Sequence, residues 1–177
     1  MKTFFYLIFI IIFISKNVLS NGLDVYSLGI FDIKFDGSQG DIVTDYRYER
    51  RFDKTILDIG PEEDNFFFLK PFAGFEYTSD DASYLITGIY LEDNLGELLG
   101  TKSDKIIFTP SFGVGYFDDG SGKKLGNCLE FRSTIEFSYE LKNKNRIGIS
   151  YGHISNANLG DSNPGVEILS LSYQIPN

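Results

Sequence analysis

The sequence has few of the residues that crosslink small proteins or bind metals. Among its 177 residues it contains one cysteine, Cys128, and one histidine, His153. A lone cysteine excludes an internal disulfide and a cysteine-based metal site, and a lone histidine excludes a histidine-rich metal centre. We therefore expect no metal or other cofactor, and a fold that is stabilised without covalent crosslinks.

Basic residues are also scarce relative to acidic ones. The chain has 16 Lys and Arg against 25 Asp and Glu, which gives a formal net charge of −9. Proteins that bind nucleic acids need basic patches to contact the phosphates. The acidic composition therefore argues against a nucleic-acid partner.

No apolar run is long enough to cross a membrane as a helix, which takes about 20 residues. The longest run, Phe4 to Ile14, follows Lys2 and precedes Val18-Leu-Ser20. A basic start, a short apolar core and small residues before a cleavage point are typical of a secretory signal peptide. We predict that residues 1–20 are a cleaved signal peptide rather than a retained anchor, and that residues 21–177 form one β-barrel domain.

Beyond Asn21 the sequence lacks a sustained helical period and is instead rich in aromatic and β-branched residues. Glycine and Asp/Asn/Ser clusters interrupt these runs, as expected for strands separated by turns. The longer connections 52–65 and 93–105 could each hold a helical turn. The pattern predicts eight strands, at 23–33, 41–51, 66–78, 82–92, 106–117, 128–141, 145–155 and 167–175.

Polar and apolar residues alternate along these strands. In the run 128–141 the even positions include Glu130, Arg132 and Glu136, while the odd positions include Phe131 and Phe137. A soluble β-sandwich would alternate in a similar way. Strands close to the roughly 9–11 residues of a membrane-spanning strand, and aromatic residues near their ends, favour a barrel in a membrane. We predict an all-β fold, an eight-stranded antiparallel transmembrane β-barrel with charged side chains paired inside a filled lumen.

The last two strands place three polar residues on the outward, apolar face. Residues two apart on a strand share a face, so His153, Ser155 and Glu167 are expected together at the outer rim. Serine, histidine and a carboxylate can form a nucleophile, a base and an orienting acid. Backbone N–H groups at Asn156–Asn158, or the Asn156 side chain, could bind the oxyanion. The spacing leaves a second interpretation open, in which these residues only form a turn and begin a strand.

The run His153-Ile-Ser155-Asn156-Ala157, followed by Asn163-Pro-Gly-Val-Glu167, resembles the outer-membrane lipid A 3-O-deacylases. The resemblance extends upstream to Pro71–Gly74, Thr109–Gly115 and Leu125–Ser133. It implies a metal-independent esterase that removes the 3-O-linked acyl chain of lipid A in the outer membrane of a Gram-negative bacterium. It also implies the roles of single residues: Ser155 as nucleophile, His153 as base, Glu167 as orienting acid, Asn156 at the oxyanion hole, Asn163 as a loop residue linked to activity, and Asn158 where the family commonly has glycine.

Two functions of other classes are alternatives to this hydrolase. A non-catalytic structural or adhesive barrel could keep the motif only to stabilise its loop. A soluble secreted barrel could bind a lipid inside, although charged inward faces argue against it. An open pore is disfavoured because side chains fill a lumen of eight strands. The expected partner is lipid A, or lipopolysaccharide, in the outer leaflet, and the sequence leaves open whether the protein is a monomer or a homodimer.

Overall fold

The computed structural model of the chain describes residues 21–33, 42–59, 67–100 and 105–177. The signal peptide predicted at 1–20 lies outside these ranges and stays a prediction. Within the described ranges, no helix is long and apolar enough to cross a membrane.

Eight long antiparallel strands form a closed ring. Each strand pairs with its neighbours in chain order, and pairing of the last strand with the first completes the circle. Closure gives each of the eight barrel strands two neighbours, so the backbone hydrogen bonds of the ring are satisfied within the sheet. The eight barrel strands are β1 (Gly22–Phe31), β2 (Val43–Phe52), β4 (Phe67–Thr78), β5 (Ser83–Tyr90), β7 (Ile106–Asp118), β8 (Leu129–Glu140), β9 (Arg146–Ser155) and β10 (Val166–Pro176).

The predicted eight-stranded barrel is confirmed, and the strand bounds agree to within two residues where they are described. Positions 41 and 66, at two predicted strand ends, lie outside the described residues. The long connection 93–105 begins with a two-residue strand β6 (Asp93–Asn94) and a helical turn α1 (Leu95–Leu98), as expected. In the connection 52–65 the described part holds a short strand β3 (Leu57–Ile59) instead of a helical turn, because it pairs with the start of β4.

The inward faces carry a network of buried ion pairs. Arg132 contacts Glu76 at 2.8 Å and also Glu49. Arg51 contacts Glu136 at 2.6 Å and Glu49 at 3.2 Å. These five side chains are at most 2% exposed as whole residues. The expected pairing of charges in a filled lumen is therefore present in the fold.

The outward faces are apolar. Many large apolar side chains on these faces are about half exposed around the ring, whereas a soluble protein buries most such residues. The outward apolar set includes Tyr26, Leu28, Tyr46, Phe75, Phe112, Ile135, Phe137, Ile147, Ile149 and Leu171.

The barrel end where β1 and β9 finish and β10 begins is here called the site rim. An apolar cluster closes the lumen at this end; it includes Phe31, Tyr84, Phe117, Leu125, Ile154, Val166 and Ile168.

Candidate active site

The pairing of β9 with β10 brings the predicted histidine and glutamate together. His153 and Glu167 are direct cross-strand partners, and His153 Nδ1 lies 2.9 Å from Glu167 Oε1. The neighbouring pair, Ile154 and Val166, points inward and is buried. Alternation therefore puts the imidazole and the carboxylate on the outward face, as the sequence predicted.

Glu167 makes a second contact with its other oxygen. The Tyr151 hydroxyl donates to Glu167 Oε2 at 2.6 Å. Both carboxylate oxygens are thus held by hydrogen bonds. Because Nδ1 is bonded to Glu167, Nε2 is the His153 ring nitrogen that is able to accept a proton. Tyr151 is a site residue that was not predicted from the sequence, although its position two residues before His153 on the same face indicates that the two side chains are neighbours.

Ser155 is the last residue of β9 and lies on the same outward face as His153. It is partly buried and pairs with Phe131 of β8. Among the hydrogen bonds of the described residues, none joins its hydroxyl to the imidazole. Hydrogen bonds between a nucleophile and its base are often long without substrate and shorten when substrate binds. The structure thus joins His153 to Glu167 directly and places Ser155 beside them.

The segment after Ser155 is a tight turn with left-handed backbone. Leu159 N–H donates to the carbonyl of Asn156 at 3.0 Å. The two central residues, Ala157 and Asn158, have φ of 53° and 63°. Two positive φ values define a type I′ turn, in which glycine and asparagine are favoured. Asn158 therefore suits this left-handed position, because asparagine tolerates positive φ better than most residues.

Asn156 and Asn163 hold this turn in place. The fully buried Asn156 donates its side-chain amide to the carbonyls of Leu125 at 2.8 Å and Ser162 at 2.7 Å. Its backbone N–H donates to Asn163 Oδ1 at 3.0 Å, and Asn163 Nδ2 donates to Asn158 Oδ1 at 3.2 Å.

These bonds decide between the predicted oxyanion donors. Both amide hydrogens of Asn156 are used by carbonyls, so the structure does not support its side chain as a donor to substrate. The backbone N–H of Asn156 is used as well. The N–H groups of Ala157 and Asn158 are the remaining candidates in this turn.

Gly165 lies against the imidazole from the other end of the loop. Its φ is +58°, and a Cβ at this position would come within 2.9 Å of His153 Cε1. The carbonyl of Gly165 accepts a hydrogen bond of 2.6 Å from Lys123 Nζ, which also pairs with Asp32 at 2.8 Å. Lys123 carried no signal in the sequence, because the loop that holds it follows a strand two places away in the ring.

The described part of the chain contains no cluster of three or more His, Cys, Asp or Glu residues that could hold a metal ion. The chemistry available at this site is that of a serine, a histidine and a carboxylate, with backbone donors in the adjoining turn.

Comparison with known sequences identifies a related family. The family model described as lipid A 3-O-deacylase (PagL) matches residues 89–176, which include all the site residues named above except Asp32. A curated relative, the lipid A deacylase PagL of Bordetella bronchiseptica, is 39% identical over 51 residues. That alignment spans 29% of this chain and 29% of the relative's length.

Two solved structures resemble the whole barrel. One, the crystal structure of the outer membrane enzyme PagL, matches with a TM-score of 0.62 and 22% identity, covering 88% of this chain and 99% of that chain. The other, a de novo designed transmembrane β-barrel, matches with a TM-score of 0.55 and 10% identity, covering 89% of this chain and 95% of that chain. At these identities the two structures establish the fold alone.

Proposed function

Since the chain belongs to the lipid A 3-O-deacylase family, we propose that it is an outer-membrane serine esterase that hydrolyses the 3-O-linked acyl chain of lipid A. The observation that carries this proposal is the His153–Glu167 pair beside Ser155 on the outward apolar face. A catalytic group placed there faces lipid and not the lumen. A lipid of the surrounding leaflet is therefore the substrate that can reach it.

The apolar outward surface supports a membrane location. A band of exposed aromatic and aliphatic side chains encircles the strands, and such a band would be covered by hydrocarbon in a bilayer. The site rim is at the end where β1 finishes. With the N-terminus on the periplasmic side, this rim lies at the outer leaflet, where lipid A resides.

In the first step, Ser155 Oγ attacks the carbonyl carbon of the acyl ester while His153 Nε2 takes the serine proton. Glu167 holds the imidazole through Nδ1 and offsets the positive charge that it gains. The negative charge on the carbonyl oxygen is stabilised by the N–H groups of Ala157 and Asn158. The ester C–O bond then breaks, and the sugar oxygen leaves with the proton from His153.

In the second step, water hydrolyses the acyl-serine. His153 accepts a proton from the attacking water, and the tetrahedral intermediate collapses to release a free fatty acid. The proton returns to Ser155 Oγ. No metal takes part in this scheme, and the products are a 3-hydroxyl group on lipid A and one carboxylic acid.

Aromatic residues beside the site offer an apolar surface for the acyl chain. Phe131 pairs with Ser155, and its ring stacks on Phe112 of β7 with centroids 6.0 Å apart. Ser133 lies across from His153 and is a small residue between larger ones on the outward face of β8. The acyl chain would follow this surface from the rim toward the membrane interior.

The test is mass spectrometry of lipid A from Gram-negative cells that express the wild type, Ser155→Ala or His153→Ala. The wild type is expected to remove one 3-O-linked acyl chain, and both variants are expected to leave lipid A intact although they are present as folded barrels. An unchanged lipid A profile with the wild type, in cells whose lipid A carries that chain, would instead favour a structural or adhesive barrel.

A further inference from the structure

Three buried oxygen atoms of two neighbouring side chains, next to the turn at 156–159 (here called the oxyanion turn), have no hydrogen-bond donor among the described residues. They are Oε1 and Oε2 of Glu130 and Oδ1 of Asn156, and each lacks a partner among the described residues. Both residues are fully buried. Buried polar atoms are almost always hydrogen-bonded, so three acceptors in one place need a physical explanation.

The strand register places the two side chains opposite each other. Phe131 of β8 pairs with Ser155 of β9, so the next positions, Glu130 and Asn156, face each other across the same pair of strands. Both point inward, and the Glu130 carboxyl lies beside the Asn156 side chain. Directly opposed residues have Cβ atoms about 4.5–5.5 Å apart, which is within reach of a side-chain hydrogen bond.

Judged by distance and angle, no N–H group of either neighbour donates to the Glu130 carboxyl. The amide hydrogens of Asn156 are used by the carbonyls of Leu125 and Ser162. The buried Arg132 pairs with Glu49 and Glu76 through its two terminal nitrogens. Its Nε has no partner among the described residues either, and no ion pair among them includes Glu130.

The other two buried arginines are also engaged elsewhere. Arg51 pairs with Glu49 and Glu136, and Arg47 lies near Glu49 and donates to Ser27 and Ser150. Burying a carboxylate without a cation or a hydrogen-bond donor costs much free energy. Protonation of the carboxyl group avoids this cost because the group is then neutral.

We propose that Glu130 is a protonated carboxylic acid that donates a hydrogen bond to Asn156 Oδ1, and that it is a positioning residue for the oxyanion turn. One proton gives Asn156 Oδ1 its donor and removes the unpaired charge. Asn156 is then held at its oxygen, at its amide group and at its backbone N–H. The next two residues, Ala157 and Asn158, carry the N–H groups assigned to the oxyanion.

Two substitutions separate the donor from the shape of the side chain. Glu130→Gln keeps the size and supplies an N–H donor to Asn156 Oδ1 without an ionisable group. Glu130→Met keeps a similar volume but has no donor. Asp45→Leu is the matched control, because it removes another fully buried carboxyl that has no bond to the turn.

The kinetic part of this inference depends on the proposed deacylase function. Rates are measured with purified, refolded barrels and lipid A in mixed micelles. Glu130→Met is expected to lower kcat by about 10- to 100-fold with KM within about two-fold, since a displaced donor weakens transition-state stabilisation more than binding. Glu130→Gln and Asp45→Leu are expected to stay within about three-fold of the wild type, since the first keeps a donor to Asn156 Oδ1 and the second leaves the turn untouched.

Infrared spectroscopy tests whether Glu130 is protonated, and it does not require the protein to be enzymatically active. In protein with a 13C-labelled glutamate carboxyl group, the wild type is expected to show a band of protonated carboxylic acid that shifts with the label. Glu130→Gln is expected to lose this band, and Asp45→Leu to keep it. A band unchanged in Glu130→Gln overturns the proposal, whatever the activities are.

The outcomes distinguish this inference from the proposed function. If the wild type does not deacylate lipid A, the proposed function fails, while the infrared band still decides whether Glu130 carries the proton. If the wild type is active and a folded Glu130→Met is equally active, Glu130 does not position the turn. If Glu130→Met does not fold, the folded Glu130→Gln decides. A loss of activity in Glu130→Gln overturns the positioning role, and a rate equal to that of the wild type supports it.

Discussion

At the scale of single residues, hydrogen bonds hold both oxygens of the Glu167 carboxylate: His153 bonds to one oxygen and Tyr151 to the other. A long acidic side chain at a lipid boundary would otherwise turn toward water and away from the imidazole. The Tyr151 hydroxyl limits that movement. The orientation of the acid therefore depends on a neighbour from the same strand as the histidine.

Removing this hydroxyl is expected to weaken catalysis without abolishing it. Tyr151→Phe keeps the ring on the outward face but frees Glu167 Oε2, so kcat/KM should fall by about three- to ten-fold, the effect of one partly exposed hydrogen bond to a charged group. Initial rates of ester hydrolysis in detergent measure the change. Tyr173→Phe is the control, since Tyr173 is on the same face and its hydroxyl accepts a bond from Asn145, far from the site. Equal rates for Tyr151→Phe and wild type would show that Tyr151 does not orient the acid.

At the scale of elements, the loop 156–165 is fixed against a second loop of the site rim. A Cβ on Gly126 would lie 2.3 Å from the carbonyl oxygen of Ser162, and one on Gly160 would lie 2.3 Å from that of Gly126. The two backbones thus approach closely, and Lys123 and Asn156 add hydrogen bonds between the loops. This packing defines where the oxyanion turn and Gly165 sit relative to His153.

Gly165→Ala is expected to lower activity by displacing the imidazole. The new methyl group would meet His153 Cε1 at 2.9 Å, and a misplacement of about 1 Å can cost on the order of 100-fold in rate. Gly100→Ala is the matched control, because Gly100 has φ of +66° but no atom within 4 Å of an added Cβ.

Both of these alanine variants carry a similar backbone strain, so the difference between their rates reports the contact with His153. The rates are measured on folded barrels, identified by their mobility on unheated gels. If Gly165→Ala loses no more activity than Gly100→Ala, the close contact at the imidazole has no catalytic consequence.

At the scale of the whole molecule, the barrel is filled by charges and is apolar outside. The buried pairs of Arg51 and Arg132 with Glu49, Glu76 and Glu136 connect three strands across the lumen, β2, β4 and β8. Removing one member of such a network leaves an uncompensated buried charge, which is far more harmful than the loss of an exposed pair.

Arg132→Met is therefore expected to reduce the free energy of unfolding by about 3–5 kcal/mol. Urea unfolding from lipid vesicles, followed by gel mobility, measures this difference. Lys144→Met removes the exposed partner of Glu140 and should change stability by no more than about 0.5 kcal/mol. A similar small effect for both variants would mean that the lumen network does not stabilise the barrel.

The sequence predicts the ring because alternation is a local property of each strand. Glu130, Arg132 and Glu136 alternate with Phe131 and Phe137, and this pattern alone defines the two faces. The shared face of His153, Ser155 and Glu167 follows from the same parity.

The missing parts depend on contacts between segments distant in the chain. Lys123 reaches Gly165, and Asn156 reaches Leu125, only after the loops of the site rim are brought together. The short strand at 57–59 forms because β4 is available as a partner. Periodicity describes one strand at a time and carries no information on these loop contacts.

Covalent labelling with an ester-like inhibitor is the decisive test of whether Ser155 is the nucleophile. A phosphonate with an acyl-like chain is added to the refolded barrel, and the modified peptide is located by mass spectrometry. We expect one adduct on Ser155 in the wild type, slower labelling of His153→Ala and no adduct in Ser155→Ala. An adduct on another residue, or none in a preparation that deacylates lipid A, would contradict this expectation.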